Sequence, residues 1–396
     1  MNNQFPPKDI ITALLMSFKV SFYDFEEVQG TTVTLYKFRP KLGTRVNRIR
    51  ALKDELSAAL CVPSVRIIAP MEDGSVGIEV PKLDRPILPF SDIVASPMFQ
   101  QTDMALPLCI GRKVDNSVFI ADLAEMPHLL VAGATGQGKS VGLNVMLMSL
   151  LHKKTPEELK IVLIDPKKVE LSAYTAIARP YITQMTGMPP VITEAAHALT
   201  MLDALCRLMD KRYTMLNEVG ARNIREYNEI CGKTMQYYVI VIDEYGDLIM
   251  DRQSGRNIEY YICRLAQKAR AVGMHLIIST QRPSATIVTG NIKANFPTRI
   301  AFRTTTGTDS RVVIDQVGAE KLTGSGDMLY FSGAEITRVQ CAYVSTQDVI
   351  QRCNDIGKTH ADCHPKVLTV IQHQNNTTND FQAWIKEKGL KLNYRL

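Results

Sequence analysis

No run of apolar side chains in this 396-residue sequence approaches the roughly 18 residues that a membrane-spanning helix requires. The opening residues Met-Asn-Asn-Gln-Phe-Pro-Pro-Lys do not show the basic start and apolar stretch of a secretory signal peptide. Both absences argue against a membrane or secreted protein. We therefore expect the chain as given to be soluble and cytoplasmic, without a membrane segment.

Closely paired cysteines are missing as well. The eight cysteines are scattered, without a C-x-x-C pair or the spacing of a short secreted framework, so we expect reduced thiols. Cys353, His360, Cys363 and His364 lie near one another and raise the alternative of a zinc site. Their spacing matches no standard zinc finger, and the adjacent Cys363 and His364 suit one tetrahedral site poorly. Zinc is therefore the less favoured interpretation.

The charge is not extreme in either direction. A net charge of +6 and an apolar content of 45% are ordinary for a globular chain, and too mild to indicate a nucleic-acid partner. The length allows two or three domains. We predict a small α+β domain at residues 1–104, an α/β domain at 105–347 and a Gln-, Asn- and Thr-rich extension at 348–396.

Periodicity distinguishes the first two domains. The first mixes strands at 32–38, 64–69 and 75–80 with a helix at 46–60. In the second, strand-like and helix-like segments alternate, which predicts a mainly parallel sheet covered by helices. The predicted elements are strands at 129–132, 161–164, 237–242, 275–280 and 299–302, and helices at 194–216 and 258–272.

A phosphate-binding loop follows the first of these strands. Residues 133–140 read Gly-Ala-Thr-Gly-Gln-Gly-Lys-Ser, which is a complete G-x-x-x-x-G-K-[ST] motif between a strand and a helix. Glycines let successive N–H groups point inward and hold an anion, so a chance glycine turn is the weak alternative. The predicted ATP-binding residues are Gly133, Ala134, Thr135, Gly136, Gln137, Gly138, Lys139, Ser140 and Val141.

An acidic pair points from binding to hydrolysis. Asp243 and Glu244 end the apolar run 237–242, which is typical of a strand buried on both faces. We expect Ser140 to ligate Mg²⁺ and Asp243 to hold the metal through water, while Glu244 activates the attacking water. An ordinary solvated acidic pair is the alternative. Lys139, Asp165, Asp243 and Gln281 all follow strands, where parallel sheets bind ligands.

Positive charge is concentrated in one part of the chain. Residues 264–311 contain one acidic side chain, Asp309, and eight basic ones: Arg264, Lys268, Arg270, Arg282, Lys293, Arg299, Arg303 and Arg311. Small-residue loops with arginines suit phosphate oxygens and carry little base information. A solvated basic face is an equally acceptable interpretation at this point.

Several motifs together resemble the motor of the FtsK/SpoIIIE family of double-stranded DNA translocases. The resemblance covers roughly residues 15–347, and its most diagnostic stretches are Arg264-Leu-Ala-Gln-Lys-Ala-Arg270 and Thr280-Gln-Arg-Pro-Ser284. Further matching stretches are 64–67, 76–81, 122–140, 163–167, 292–300 and 324–330.

The resemblance implies a RecA-like P-loop ATPase domain, preceded by the small α+β domain, in a hexameric ring around duplex DNA. By position, Arg270 would be an arginine finger reaching a neighbour's ATP, and Gln281 would sense the γ-phosphate. Arg282 and Arg311 would touch the DNA backbone. The alternatives are a surface arginine for Arg270, a structural hydrogen bond for Gln281, and subunit-interface ion pairs for Arg282 and Arg311.

The implied function is ATP-driven translocation along double-stranded DNA. The alternatives are a hexameric ATPase of conjugation or protein secretion, and a non-enzymatic ATP-gated scaffold. Full-length relatives carry a membrane anchor and a winged-helix domain, and residues 348–396 are expected to be too short for the latter. Chromosome segregation, sporulation and mobile-element transfer remain open as biological roles.

Overall fold

Two main sheets organise the chain, one of four strands and one of ten. The computed structural model describes residues 5–71, 73–82, 84–333 and 335–369. Within the described residues, no helix combines the length and apolarity that crossing a membrane requires.

The four-stranded sheet and three helices form the small α+β domain. Its elements are helices α1 (Pro7–Ser17), α2 (Val46–Ala51) and α3 (Lys53–Ala59), and strands β1 (Phe22–Gln29), β2 (Val33–Pro40), β3 (Arg66–Ile68) and β4 (Val76–Pro81). The strands are antiparallel in the order β1-β2-β4-β3, and β3 and β4, which match the strands predicted at 64–69 and 75–80, form a hairpin. The helix predicted at 46–60 is two helices, because the backbone leaves helical geometry at the buried Leu52.

The ten-stranded sheet belongs to the large domain. Its strands are β5 (Pro107–Lys113), β6 (Val118–Asp122), β7 (His128–Ala132), β8 (Leu159–Ile164), β10 (Val191–Ile192), β11 (Tyr237–Ile242), β12 (Met274–Thr280), β13 (Thr298–Phe302), β14 (Asp327–Ser332) and β15 (Glu335–Cys341). They lie in the order β10-β8-β11-β12-β7-β13-β14-β15-β5-β6. The six strands from β10 to β13 are parallel, as predicted, whereas the remaining strands pair antiparallel.

Helices cover both faces of the parallel part. They are α4 (Phe90–Val94), α5 (Pro97–Gln100), α6 (Lys139–Lys153), α7 (Ala195–Val219), α8 (Ile224–Cys231), α9 (Tyr245–Ile249), α10 (Gly255–Lys268), α11 (Gly290–Asn295), α12 (Gly307–Ile314) and α13 (Thr346–Thr359), with 3-10 turns at Ser172–Ile177 and Ala319–Lys321. A two-stranded parallel pair joins β9 (Thr183–Met185) to β16 (Lys366–Leu368). Because both faces are covered, strands such as β11 need no polar side and read as uninterrupted apolar runs.

Packing shifts the boundary between the two domains. Leu88, Phe90, Ile93 and Phe99 belong to the large domain's core, although we expected residues up to 104 in the small domain. We therefore propose that the small domain ends between Pro81 and Leu88. On the other side, Val349, Cys353 and Ile356 of α13 also pack into the large core. The predicted extension lies outside the described residues from residue 370 onward.

Candidate nucleotide-binding site

The phosphate-binding loop lies between β7 and α6, at the carboxyl edge of the parallel strands. Gly136 and Gly138 have φ angles of 76° and 106°, in the left-handed region that favours glycine. A Cβ on Gly138 would come within 2.7 Å of the Gly326 backbone nitrogen, and a Cβ on Gly133 within 2.6 Å of the Phe302 Cβ. These glycines therefore let the loop bend and pack closely at the start of α6, where backbone N–H groups suit an anion.

Lys139 is only 3% exposed and already has strong partners. Its ammonium contacts the Asp243 carboxylate and lies 3.1 Å from the Ser279 hydroxyl oxygen. Ser279 also donates a hydrogen bond to Asp243. The lysine of the phosphate-binding loop and the first carboxylate after β11 thus meet at the carboxyl edge of the sheet, although β12 lies between the strands that they follow. Asp243 is held by both the Lys139 ammonium and the Ser279 hydroxyl.

Ser140 and Asp243 fit the predicted Mg²⁺ site by the chemistry of their donors. Both supply oxygen, the ligand that Mg²⁺ prefers, and Mg²⁺ usually keeps several waters besides one or two protein ligands and phosphates. In the described part of the chain, no three His, Cys, Asp or Glu side chains are grouped to hold a metal. The zinc alternative at Cys353, His360, Cys363 and His364 therefore finds no support among the described residues.

Glu244 is fully buried and tightly held. Its carboxylate accepts hydrogen bonds from the Thr280 hydroxyl at 2.9 Å, the Gln281 backbone N–H at 3.1 Å and the Lys167 ammonium at 3.0 Å. Its φ of 47° is left-handed, an uncommon conformation for a residue with a side chain. Such local strain is typical of functional sites, since the surrounding contacts must maintain it.

The turn after β8 supplies two residues that the sequence analysis did not assign to the site. The buried Asp165 carboxylate accepts hydrogen bonds from the backbone N–H groups of residues 167–171, at 3.0 to 3.2 Å. This holds Lys167 beside Glu244, and it holds Glu170 beside Ser140, whose hydroxyl donates to Glu170 Oε1 at 2.6 Å. The position of Asp165 at the end of a strand was a signal in the sequence that this turn lies near the site. Nothing in the sequence indicated that Lys167 would contact Glu244 or that Glu170 would contact Ser140.

Gln281 links the phosphate-binding loop to Glu244. Its side-chain oxygen accepts a hydrogen bond from the Thr135 hydroxyl at 2.9 Å, and its backbone N–H donates to Glu244. Arg282 follows directly and is exposed, as is Arg311 on α12. Neither arginine takes part in an ion pair with the described residues. The structure therefore brings Gln281 into the site and leaves Arg282 and Arg311 on the surface.

Arg270 lies at the opposite end of the sheet from Lys139. It precedes β12 at Met274, whereas the nucleotide site lies beyond Thr280, so the length of the strand separates them by roughly 20 Å. Its guanidinium pairs with Glu125 at 3.1 Å and is more than half exposed. Arg225 lies 3.4 Å from the same carboxylate. Within one chain Arg270 cannot reach the phosphates, so any role in hydrolysis requires a second subunit.

A cavity of about 430 Å³ extends from the phosphate-binding loop toward the small domain. Beyond residues 134–141 it is lined by the linker residues 85–88, the loop 324–326 and residues 340–343. Ile87 and Tyr343 are exposed apolar side chains in this lining. The sequence analysis singled out 324–330 as part of the family resemblance but assigned none of these three segments to the nucleotide site, because they come from distant parts of the chain.

Comparison with known protein families separates the chain into the same two parts. The FtsK alpha domain matches residues 5–82 and the FtsK/SpoIIIE family matches residues 90–285. A DNA translocase FtsK from Chlorobaculum tepidum is 42% identical over 360 residues, covering 89% of this chain and 44% of that protein. A DNA translocase FtsK from Helicobacter pylori is 40% identical over 355 residues, covering 88% and 40%. The chain spans about half the length, or less, of the curated relatives it matches.

Solved structures with the same fold are ATPases and a related conjugation protein. The conjugation coupling protein TcpA of pCW3, solved as a monomer with ATPγS, is 26% identical with a TM-score of 0.62, covering 89% of this chain and 99% of that chain. The cytoplasmic domain of the type VII secretion ATPase EccC from Thermomonospora curvata is 23% identical with a TM-score of 0.57, covering 68% and 34%. The predicted P-loop ATPase fold is thereby confirmed.

Proposed function

Because the chain belongs to the FtsK/SpoIIIE family, we propose that it hydrolyses ATP to move along double-stranded DNA as one subunit of a six-membered ring. The observation that carries the proposal is the position of Gln281. It contacts both the phosphate-binding loop and Glu244, and it is followed at once by the exposed Arg282. A change in the contacts of the γ-phosphate can therefore move Gln281, and with it the adjacent Arg282 at the start of a basic surface loop.

The residues of the site divide the chemistry of ATP hydrolysis among them. Lys139 exchanges part of its contact with Asp243 for the β- and γ-phosphates, and backbone N–H groups at the start of α6 hold the remaining charge. Ser140 and Asp243 would hold Mg²⁺, which supplies charge neutralisation on the phosphates when bound. Glu244 orients the attacking water and accepts its proton, and the buried contacts of its carboxylate keep it aimed.

Completion of the site by a neighbour follows from the position of Arg270. A guanidinium supplied in trans stabilises charge on the transferring phosphoryl group and makes hydrolysis depend on subunit contact. In the proposed ring, Arg270 exchanges its exposed pair with Glu125 for the neighbour's phosphate. That exchange costs little, since an exposed ion pair contributes about 1 kcal/mol or less.

The proposed contacts with DNA are made to the phosphates of its backbone. Arg282 and Arg311 are exposed and have no ion-pair partner among the described residues, so their charge is available to a polyanion. Grip of this kind is independent of base sequence and weakens steeply with salt, because each phosphate contact releases counterions. Salt-insensitive or sequence-selective binding of unrelated duplexes would contradict this part of the proposal.

The decisive experiment combines ATP turnover with triplex displacement on linear duplex DNA. We expect long duplexes to stimulate the wild-type protein and ATP to release the third strand, since release requires motion and not binding alone. Glu244→Gln is expected to lower turnover about 10²- to 10⁴-fold and to retain nucleotide binding. Glu157→Gln, an exposed carboxylate before β8 at the far end of that strand, serves as the matched control. Turnover that duplex DNA leaves unchanged, under conditions of assembly, would refute the proposal.

A second candidate function is an ATPase of conjugation or protein secretion. The similarity to the TcpA coupling protein, which extends over 99% of that chain, is the observation in its favour. Comparing stimulation by duplex DNA, single-stranded DNA and candidate protein substrates separates the two functions. A response to protein or single strands, without a response to duplex, would favour this second candidate.

A further inference from the structure

Glu170 has no role in the mechanism described above, yet it touches a residue of the metal site. It is partly buried in the turn after β8, and its Oε1 accepts the hydrogen bond from the Ser140 hydroxyl at 2.6 Å. The contact joins residues 30 positions apart, so it depends on how this turn packs against the start of α6.

The backbone around Glu170 is fixed. Its own N–H donates to Asp165 Oδ2 at 3.0 Å, within the set of five amides that the buried Asp165 gathers. Among the described residues, the Asp165 carboxylate accepts hydrogen bonds from the backbone amides of this turn and from no side chain. Its carboxylate oxygens bind the backbone amides that define the turn. The turn then places the Glu170 side chain beside Ser140. This is the arrangement expected of a supporting residue that must be held in place.

The charges of the site single out Glu170. Asp243 is paired with Lys139, and Glu244 with Lys167. Among the described residues, Glu170 has no Lys, Arg or His within ion-pair distance, although its carboxylate faces the hydroxyl that is expected to ligate a cation. A partly buried carboxylate without a counterion, directly behind a metal-ligating hydroxyl, gains most from a divalent cation in the site.

We propose that Glu170 is a positioning residue of the Mg²⁺ site, acting through the Ser140 hydroxyl. A hydroxyl that ligates a metal uses an oxygen lone pair, so its hydrogen must point away. Glu170 accepts that hydrogen, which turns the Ser140 lone pairs outward and raises the electron density on the oxygen. The inference rests on the proposed function, since it requires a Mg²⁺-nucleotide at this loop.

The test measures metal dependence of nucleotide binding, not turnover. A fluorescent ADP is titrated onto wild type, Glu170→Gln, Glu170→Asp and the control Glu157→Gln, first in EDTA and then at increasing Mg²⁺. We expect Glu170→Gln to bind ADP in EDTA at least as well as wild type. The Mg²⁺ concentration for half-maximal effect should rise about 10- to 100-fold. Glu170→Asp should fall between the two, and Glu157→Gln should match wild type.

A double-mutant cycle separates positioning from general structure. In a Ser140→Ala background, Glu170→Gln should add little to the loss of Mg²⁺ dependence, because the group through which it acts has gone. Binding of Mn²⁺ with ADP, followed by electron paramagnetic resonance, gives the same comparison without hydrolysis.

Three outcomes overturn the inference. Unchanged Mg²⁺ dependence in Glu170→Gln would show that the negative charge of Glu170 does not strengthen Ser140 as a metal ligand. An equal loss of ADP affinity with and without Mg²⁺ would assign Glu170 to the shape of the loop alone. Failure of the wild type to bind ADP under either condition would refute the proposed function together with the inference, whereas the first two results leave the proposed function intact.

Discussion

The buried carboxylate of Glu244 shows how individual side chains prepare this site. Glu244 lies in a left-handed conformation and has three hydrogen-bond donors, of which only the Lys167 ammonium carries charge. Lys167 is itself 37% exposed, so solvent screens the pair from one side. The lysine therefore both compensates the buried charge and limits the directions in which the carboxylate can turn.

We expect Lys167→Met to destabilise the protein by about 1–3 kcal/mol, because it leaves a buried carboxylate without its cation. Hydrolysis should fall while ATP affinity stays near the wild-type value, since Lys139 is untouched. Urea unfolding and steady-state turnover measure the two effects. Lys168→Met is the matched control, because Lys168 is exposed, adjacent and left-handed. If both variants unfold at the same urea concentration, the pair with Glu244 contributes nothing.

The phosphate-binding loop depends on a second loop that the motif does not contain. Gly326 donates its N–H to the Gln137 carbonyl at 3.1 Å, and Gly138 packs against the Gly326 backbone. The loop 324–326 has left-handed angles at all three residues. The element that binds phosphate is thus supported by the turn that precedes β14.

Gly138→Ala should destabilise the protein by more than the roughly 1–2 kcal/mol of a left-handed alanine alone, since its Cβ also collides with backbone atoms. Nucleotide affinity should fall with it, as the two loops move apart. Gly220→Ala is the control: its φ of 73° is also left-handed, but a Cβ there meets nothing within 4 Å. Equal thermal shifts in the two variants would exclude the contact with Gly326. Thermal unfolding and ADP titration provide the data.

Two buried histidines mark the other end of the same strands. His128 begins β7 and His275 lies in β12, with ring centroids 6.2 Å apart. Burial lowers the pKa of His128 to about 3 and that of His275 to about 4. Below the ordinary histidine pKa near 6.5, both imidazoles bind protons in the unfolded chain but stay neutral in the folded protein. The free energy of unfolding that is present at neutral pH is therefore lost as the pH falls from about 6.5 toward 4.

His275→Asn should therefore reduce the pH dependence of unfolding, because asparagine can keep the donor to the Pro127 carbonyl without titrating. Between pH 7 and 5, the loss in unfolding free energy should be smaller by roughly 2 kcal/mol than in wild type. Urea unfolding at pH 7, 6 and 5 tests this. His197→Asn, on the surface of α7, should follow the wild-type curve. Parallel curves for His275→Asn and wild type would contradict the assignment.

At the scale of the whole molecule, a buried charge network joins the two domains. Arg338 of β15 contacts Glu79 of the small domain and bonds to Asp327 at 2.6 and 2.9 Å. Asp327 also accepts from the Thr323 N–H at 2.7 Å, just before the loop that supports the phosphate-binding loop. Burial by itself would raise the pKa of Asp327, but Arg338 holds it below its usual range. The network therefore connects the small domain with the nucleotide site.

Arg338→Met should cost about 3–5 kcal/mol, because it leaves the buried Asp327 carboxylate without its cation and Glu79 with Arg66 alone. ADP affinity should fall too, through the loss of order at Thr323. The exposed Arg222, which pairs with Glu226 on the surface, is the control: Arg222→Met should leave the stability close to that of wild type. Urea unfolding followed by ADP titration distinguishes the two. If Arg338→Met bound ADP with wild-type affinity, the proposed connection between the small domain and the nucleotide site would be contradicted.

Local sequence was sufficient for the parts of this protein whose chemistry lies within a few consecutive residues. Short motifs identified the phosphate-binding loop from Gly133 to Ser140 and the Asp243-Glu244 pair after a buried strand. Periodicity predicted that the strands of the sheet are mainly parallel. Only the packed chain could decide that Lys167 meets Glu244, that Glu170 meets Ser140 and that Arg338 joins Glu79. Those contacts span 77, 30 and 259 residues, and burial and charge pairing select such partners only after the strands have assembled.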